Sequence, residues 1–164
     1  MKKWIYTLLI IIGGIGLSFV AHHSFNNHDE LWGLELTGIE KVDLFELHNF
    51  SRAKNHVPLL EMHIDLDRCA QAHSEWMATH NKMSHEENTH EMKDVGDRLK
   101  KYRNWNAVGE NIAYGQADPT EVTKDWMNSS GHRRNILSKN YKHIGFGIAT
   151  SKTGEKYWCT VFSD

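Results

Sequence analysis

Cysteine and proline are scarce in this chain, two of each in 164 residues. So few cysteines exclude a disulfide-stapled scaffold in which bridges stand in for a core. A chain this long can bury a core without a metal or several bridges. Charge of one sign is lacking too: the formal net charge is −2, so no basic field points to nucleic acid. Arg133 and Arg134 are only two charges on one turn. No glycine-rich phosphate loop, internal repeat or low-complexity tract is present. A composition 40% hydrophobic and 24% charged argues against general disorder. The excess is in histidine, 12 residues. His22, His23, His28, His48, His56 and His63 are scattered, and this group reads as solvated or packed.

Lys2 and Lys3 precede an uncharged run from Trp4 to Ala21, which His22 and His23 break. A basic start before an apolar stretch is an export signal, and the run is also as long as the shortest membrane spans, roughly 17–25 residues. Cleavage favours small residues at the last and third-last positions. Ending at Ala21 places Phe19 third from last, and ending at Val20 gives Ser18 but a larger final residue. Residues 1–21 are therefore read as a signal peptide or an N-terminal membrane anchor, and residues 22–37 as a tether. No cysteine follows the run directly, which excludes a lipoprotein anchor. The remainder, 38–164, is expected to lie outside the cytoplasmic membrane, secreted, periplasmic or membrane-anchored.

Within that unit, Val42 to about Asn55 has helical spacing, with Val42, Phe45 and Asn49 on one face and Leu44 and Leu47 beside it. Val57-Pro58-Leu59 ends the helix. Leu66, Ala70, His73 and Met77, flanked by Cys69, Ala72 and Trp76, form a stripe wide enough to pack on a sheet. Asp94 to Tyr102 suits a short helix. Asp118-Pro119-Thr120-Glu121 combines an N-cap aspartate, proline at the first helical position and glutamate three residues after the cap. Val122, Trp126 and Met127 then supply that helix's apolar face, and Ser130 is placed to cap a further turn through Leu137. Ile144, Phe146 and Ile148 alternate with Gly145, Gly147 and Ala149. Tyr157, Cys159 and Val161 alternate with Trp158, Thr160 and Phe162, and Lys152, Thr153 and Gly154 join the two runs as a hairpin. Helices followed by a strand pair imply an α+β layered domain.

Three stretches carry a resemblance. The first is Leu47-His48-Asn49 with Arg52 and Pro58-Leu59, leading through Ala70 and His73 to Met83-Ser84-His85. The second is Gly109-Glu110-Asn111-Ile112-Ala113. The third runs from Trp126 through Gly131-His132-Arg133 and Asn135-Ile136-Leu137 to Gly145, Gly147 and Tyr157-Trp158. In this order they are similar to the CAP superfamily, which holds cysteine-rich secretory proteins, antigen 5 and pathogenesis-related 1 proteins, and they resemble its compact bacterial branch. The resemblance implies a three-layer α-β-α sandwich with a cleft lined by histidines and glutamates. His85 and His132 match the two histidines and Glu110 the first glutamate. Ser129 stands where larger relatives have the second, and the insertion before the Gly-His pair is missing.

The resemblance thus implies a cleft of His85, Glu110 and His132. Two imidazoles and a carboxylate can hold a zinc-like divalent ion with one position open for water. The same residues equally suit a polar cluster that binds or orients a ligand, or a metal-dependent hydrolase. A serine reading would set Ser129 or Ser130 beside His132 with Glu110 behind it, although a serine before Gly-His more economically caps a helix. Some family members bind sterols or fatty acids, so a lipid or another small ligand is a possible partner, with Trp105, Tyr114 and Trp126 as lining or as core. The primary expectation is a binding or interaction module, the alternative a metal-dependent hydrolase. Finally, Cys69 lies on the long helical stripe and Cys159 mid-strand on the face of Tyr157 and Val161. A helix covering that face would let them meet as a disulfide; otherwise they are separate buried thiols.

Overall fold

The computed structural model describes residues 28–87 and 92–164; the run Trp4–Ala21, with the export or anchoring role read for it, lies outside them. Among the described residues no helix is long and apolar enough to cross a membrane. The elements run α1 (His28–Lys54), β1 (Glu61–Met62), α2 (Ile64–His80), α3 (Val95–Lys100), β2 (Val108–Tyr114), α4 (Pro119–Asn128), α5 (Ser130–Ile136), β3 (His143–Thr150) and β4 (Lys156–Ser163). Helical backbone in α1 takes in residues 28–37, the greater part of the segment read as a tether. No proline interrupts that stretch, and once a helix is nucleated each added residue costs little.

The sheet has the order β1-β3-β4-β2, with β1 parallel to β3 and the other pairs antiparallel. Alternation sends Ile144, Phe146, Ile148, Trp158 and Phe162 to one face, where Leu44 of α1, Val122 and Trp126 of α4 and Ile136 of α5 cover them. Ile112, Tyr157, Cys159 and Val161 point the other way, against Leu66, Cys69, Ala70 and Met77 of α2 and Leu99 of α3. The domain is the expected α-β-α sandwich. On the α2 side β3 offers Gly145 and Gly147, because the helix backbone rests directly on them. A Cβ on Gly147 would lie 2.0 Å from the carbonyl oxygen of Ala70, and one on Gly145 2.1 Å from the amide nitrogen of Asp67.

Side chains complete the two outer strands. On β3 beyond the short β1, Asp67 Oδ1 accepts the Phe146 amide at 3.1 Å, and Gln71 bonds both Ile148 N and O, at 3.2 and 3.0 Å. On β2, the carbonyls of Val108, Glu110 and Ile112 accept from Tyr141 Oη, Asn135 Nδ2 and Trp126 Nε1 at 3.1, 3.0 and 3.2 Å.

Helix ends follow local chemistry with two departures. Asp118 Oδ1 caps α4 by accepting the Glu121 amide at 2.9 Å, while Glu121 reaches back to the Ala117 amide at 2.8 Å, one residue beyond the usual capping-box target. The short helix α5 takes Ser129, not Ser130, as its N-cap, and Ser129 makes no side-chain cap bond. The cap of α2 is His63, whose Nδ1 accepts the Asp65 amide at 3.2 Å.

The inward face of α1 also differs from the apolar count. Val42 is exposed, and the fully buried line is Leu44, His48 and Arg52. Apolarity cannot find a face whose two later members are polar. Arg52 donates to the carbonyls of Pro58, Ile136 and Ser138 at 2.6, 2.8 and 2.8 Å and to that of Tyr141 at 3.4 Å. Asn49 brackets Leu60, accepting its amide at 2.8 Å and donating to its carbonyl at 3.0 Å.

His48 donates from Nδ1 to Leu44 O at 2.7 Å, and its ring meets Trp126 and Phe146 edge-on, with centroids 5.7 and 5.3 Å apart. Burial pushes its pKa down to about 4. The unfolded chain titrates this group near 6.5, so between those values only the unfolded state takes up the proton. Stability is therefore full above about pH 6.5 and falls by about 3 kcal/mol as pH drops toward about 4. Urea unfolding of wild type and His48→Phe at pH 7 and pH 4 measures it. The variant is expected to lose less on acidification, and equal losses would sink the assignment.

Candidate functional site

At one end of β2, a buried carboxylate meets groups from four other segments. Glu110 points to the α2–α3 side of the sheet. His85, from the loop after α2, bonds its Oε1 through Nδ1 at 2.8 Å. Glu110 is nearly enclosed, with 3% side-chain exposure against 56% for His85, so the pair runs from the interior to the surface. A carboxylate only accepts, so in the neutral ring Nδ1 carries the proton and the Nε2 lone pair faces outward. Beneath them Arg98 of α3 donates Nη2 to Glu110 Oε2 and Nη1 to the His85 carbonyl, the latter at 3.0 Å. Burial alone would raise the pKa of Glu110. The His85 hydrogen bond and then the Arg98 charge outweigh it and hold the carboxyl below its usual range.

Two further buried residues extend the cluster. His73 Nδ1 contacts Glu87 Oε1 at 2.7 Å and its Nε2 the Ser84 carbonyl at 2.9 Å. These two contacts hold the buried ring of α2 against the loop that carries His85. Arg98 Nε lies 3.7 Å from the same Glu87 oxygen. Arg98 thus stands between two buried carboxylates.

His132 arrives from α5. Asn111 holds its carbonyl at 3.1 Å, and Asn135 braces Asn111 Oδ1 at 2.9 Å. Burial, and then the charge of His85, lower the pKa of His132. No direct bond joins it to either partner. Among the described residues no group of three or more His, Cys, Asp or Glu side chains is arranged to hold a metal. The donor chemistry explains this. Both oxygens of Glu110 already accept hydrogen bonds, from His85 Nδ1 and Arg98 Nη2, so among the described residues the three side chains do not stand as an open three-ligand set. Neither Ser129 nor Ser130 is hydrogen-bonded to His132, so no serine triad forms.

The cysteines correct another expectation. Cys69 and Cys159 share the α2-side core, yet both are free buried thiols. Cys159 Sγ donates to Glu110 Oε2 at 3.6 Å, so this sulfur serves the charge cluster. Burial pushes the Cys69 thiol up to about 11, leaving no thiolate near neutrality. The aromatic lining is not assembled either. Trp126 is in the core on the α1 side, Trp105 packs on the opposite side, and Tyr114 is exposed, stacked on Tyr157.

The model of the Cysteine-rich secretory protein family, CAP, matches residues 45–162. The chain belongs to this family. Among curated CAP relatives, the uncharacterized protein YkwD of Bacillus subtilis is 40% identical over 107 residues, 65% of this chain and 41% of that protein. The uncharacterized membrane protein YlbC of the same organism is 34% identical over 121 residues, 73% of this chain and 34% of that protein. This CAP chain therefore spans about two-fifths or less of the relatives' length. A solved extracellular SCP-domain protein of Bacillus anthracis superposes with a TM-score of 0.68 at 29% identity, covering 77% of this chain and 40% of that one. An outer surface protein of Borrelia burgdorferi, 18% identical with a TM-score of 0.65 over 87% and 97% of the two chains, shares the fold.

Sequence reasoning missed Arg98, Glu87 and the hydrogen bonds of His73 in this CAP domain. His73 was visible only as a member of an apolar stripe, and Arg98 and Glu87 carry no local signal at all. Nearby, a cavity of about 220 Å³ between α2 and α3 is lined by Cys69, Ala72, Trp76, Arg98 and Tyr102 among others.

Proposed function

We propose that this chain is a CAP-domain binding module working outside the cytoplasmic membrane, and that it takes a small polar ligand at His85 and His132. The observation that carries the reading is the His85–Glu110 bond at 2.8 Å. In the neutral ring it fixes the tautomer with the proton on Nδ1 and leaves Nε2 as an acceptor, so that His85 with His132 can bond hydroxyl or amide groups. The extracellular and surface contexts of the Bacillus anthracis and Borrelia proteins support the location, as do Lys2, Lys3 and the apolar run that follows. Metal-dependent hydrolysis would require Glu110 to be free, and Arg98 occupies it.

Native mass spectrometry of protein recovered from exporting cells tests the reading. A co-purifying small molecule is expected on wild type and absent from the folded His85→Ala/His132→Ala variant. An empty wild type, or equal occupancy in both, overturns it.

A further inference from the structure

Arg98 has no solvent to neutralise it, being 4% exposed, and it spends its hydrogen bonds on the two residues that shape the cleft. Nη2 takes Glu110 Oε2 and Nη1 the His85 carbonyl. Around the same oxygen stand Cys159 Sγ at 3.6 Å and His73 Nε2 at 3.9 Å. Glu110 Oε2 is thus surrounded by donors on the protein side, and Oε1 is taken by His85. Each oxygen of this buried carboxylate therefore already accepts a hydrogen bond, and the Arg98 charge offsets its own from below. Glu87 and Glu110 both face Arg98, with the buried ring of His73 in contact with each carboxylate. The second acidic position that the family resemblance implies is Ser129 in this chain.

We propose that Arg98 is the positioning and specificity-determining residue of the cleft: it withdraws Glu110 as a metal ligand and locks His85 with its proton on Nδ1, so that the cleft selects uncharged polar groups over divalent cations. This rests on the reading of His85 and His132 as the ligand-contacting pair. Arg98 acts through Glu110 and touches no ligand. Losing its charge frees Oε2 and leaves a net negative floor, which turns the same cleft into a cation site.

Zn²⁺ is the probe, and the protein is the full chain in detergent. Arg98→Gln is expected to bind Zn²⁺ at least about tenfold more tightly than wild type, the scale on which groups behind metal ligands act. Arg98→Lys, which keeps the charge, is expected to stay near wild type. A long-range ¹H–¹⁵N spectrum should show His85 as the Nδ1–H tautomer in wild type and as a mixture in Arg98→Gln. A purely structural arginine would weaken binding in both variants, and that pattern, or unchanged Zn²⁺ affinity in folded Arg98→Gln, overturns the proposal. Should Arg98→Gln fail to fold, wild type suffices. Under Zn²⁺ the Glu110 carboxyl ¹³C signal must stay still, and a shift as large as that of the imidazoles would make Glu110 a ligand and refute the assignment. Failure of the underlying reading looks different: no small molecule is held at His85 and His132, while the tautomer and the effect of Arg98→Gln persist.

Discussion

Gly147→Ala is expected to destabilise the domain by about 3–5 kcal/mol, the upper end of single-residue effects. The added methyl would lie 2.0 Å from the Ala70 carbonyl oxygen and 2.4 Å from the Gln71 nitrogen. These are backbone atoms of α2, so no rotamer change relieves the clash and the helix itself must lift. Lifting it exposes Leu66, Ala70 and Met77, all fully buried, and stretches the bonds that Asp67 and Gln71 make to β3. Gly131→Ala is the control. Nothing lies within 4 Å of its added methyl, and alanine in a helix is better than glycine by roughly 0.5–1 kcal/mol. Urea denaturation of both variants measures the contrast. A loss below about 1 kcal/mol for Gly147→Ala would mean that the α2–β3 contact yields far more readily than close-packed interiors do.

Arg52→Leu is expected to cost a similar amount, by a different route. Its guanidinium joins Pro58 to the end of α5 at Ile136 and Ser138, with Tyr141 at longer range. Leucine fills part of the volume but leaves these carbonyls without donors, at about 1–3 kcal/mol for each buried group that finds no water. Removing the buried charge returns some desolvation energy, so about 3–5 kcal/mol net is the reasonable scale. Domains of this kind hold roughly 5–15 kcal/mol in total, so the variant should sit near the edge of folding at room temperature. Arg52→Lys should recover only part of the loss, because a point charge on a flexible stem cannot span carbonyls from three segments. Thermal melts and urea titrations of both variants test this. A lysine variant as stable as wild type would show that charge, and not the planar fork, is what matters.

Much of the sandwich is legible in the sequence because its signals are local. The alternation at Ile144–Ile148 and Tyr157–Val161, the cap at Asp118 and the stripe Leu66–Met77 each occupy a few turns or pleats. The face of α1 was not legible, because its inward line passes from Leu44 to His48 and Arg52, and polar residues count against burial until their partners are known. The site divides the same way. His85, Glu110 and His132 were reachable only through the family resemblance, since 25 residues separate the first two and no local period joins them. Arg98, Glu87 and His73 lie beyond any motif. They come together only after α2, α3 and β2 have met, so the chemistry of the cleft is a property of the assembled layers. Cys69 and Cys159 were correctly placed in one layer, but whether a thiol turns toward sulfur or carboxylate depends on a cluster that no single strand reveals.

The side chains along the outer strands have a consequence beyond stability. A foreign strand adding to β2 would need the carbonyls of Val108, Glu110 and Ile112, and Tyr141, Asn135 and Trp126 already hold them. On the far side, Asp67 and Gln71 occupy the groups of Phe146 and Ile148 that would otherwise extend the ladder. Along these stretches of β2 and β3 the sheet offers no open template of the kind that recruits peptides or seeds fibrils. Many copies can therefore stand close together without zipping into one another, and recognition of a partner is left to the cleft and the helical faces.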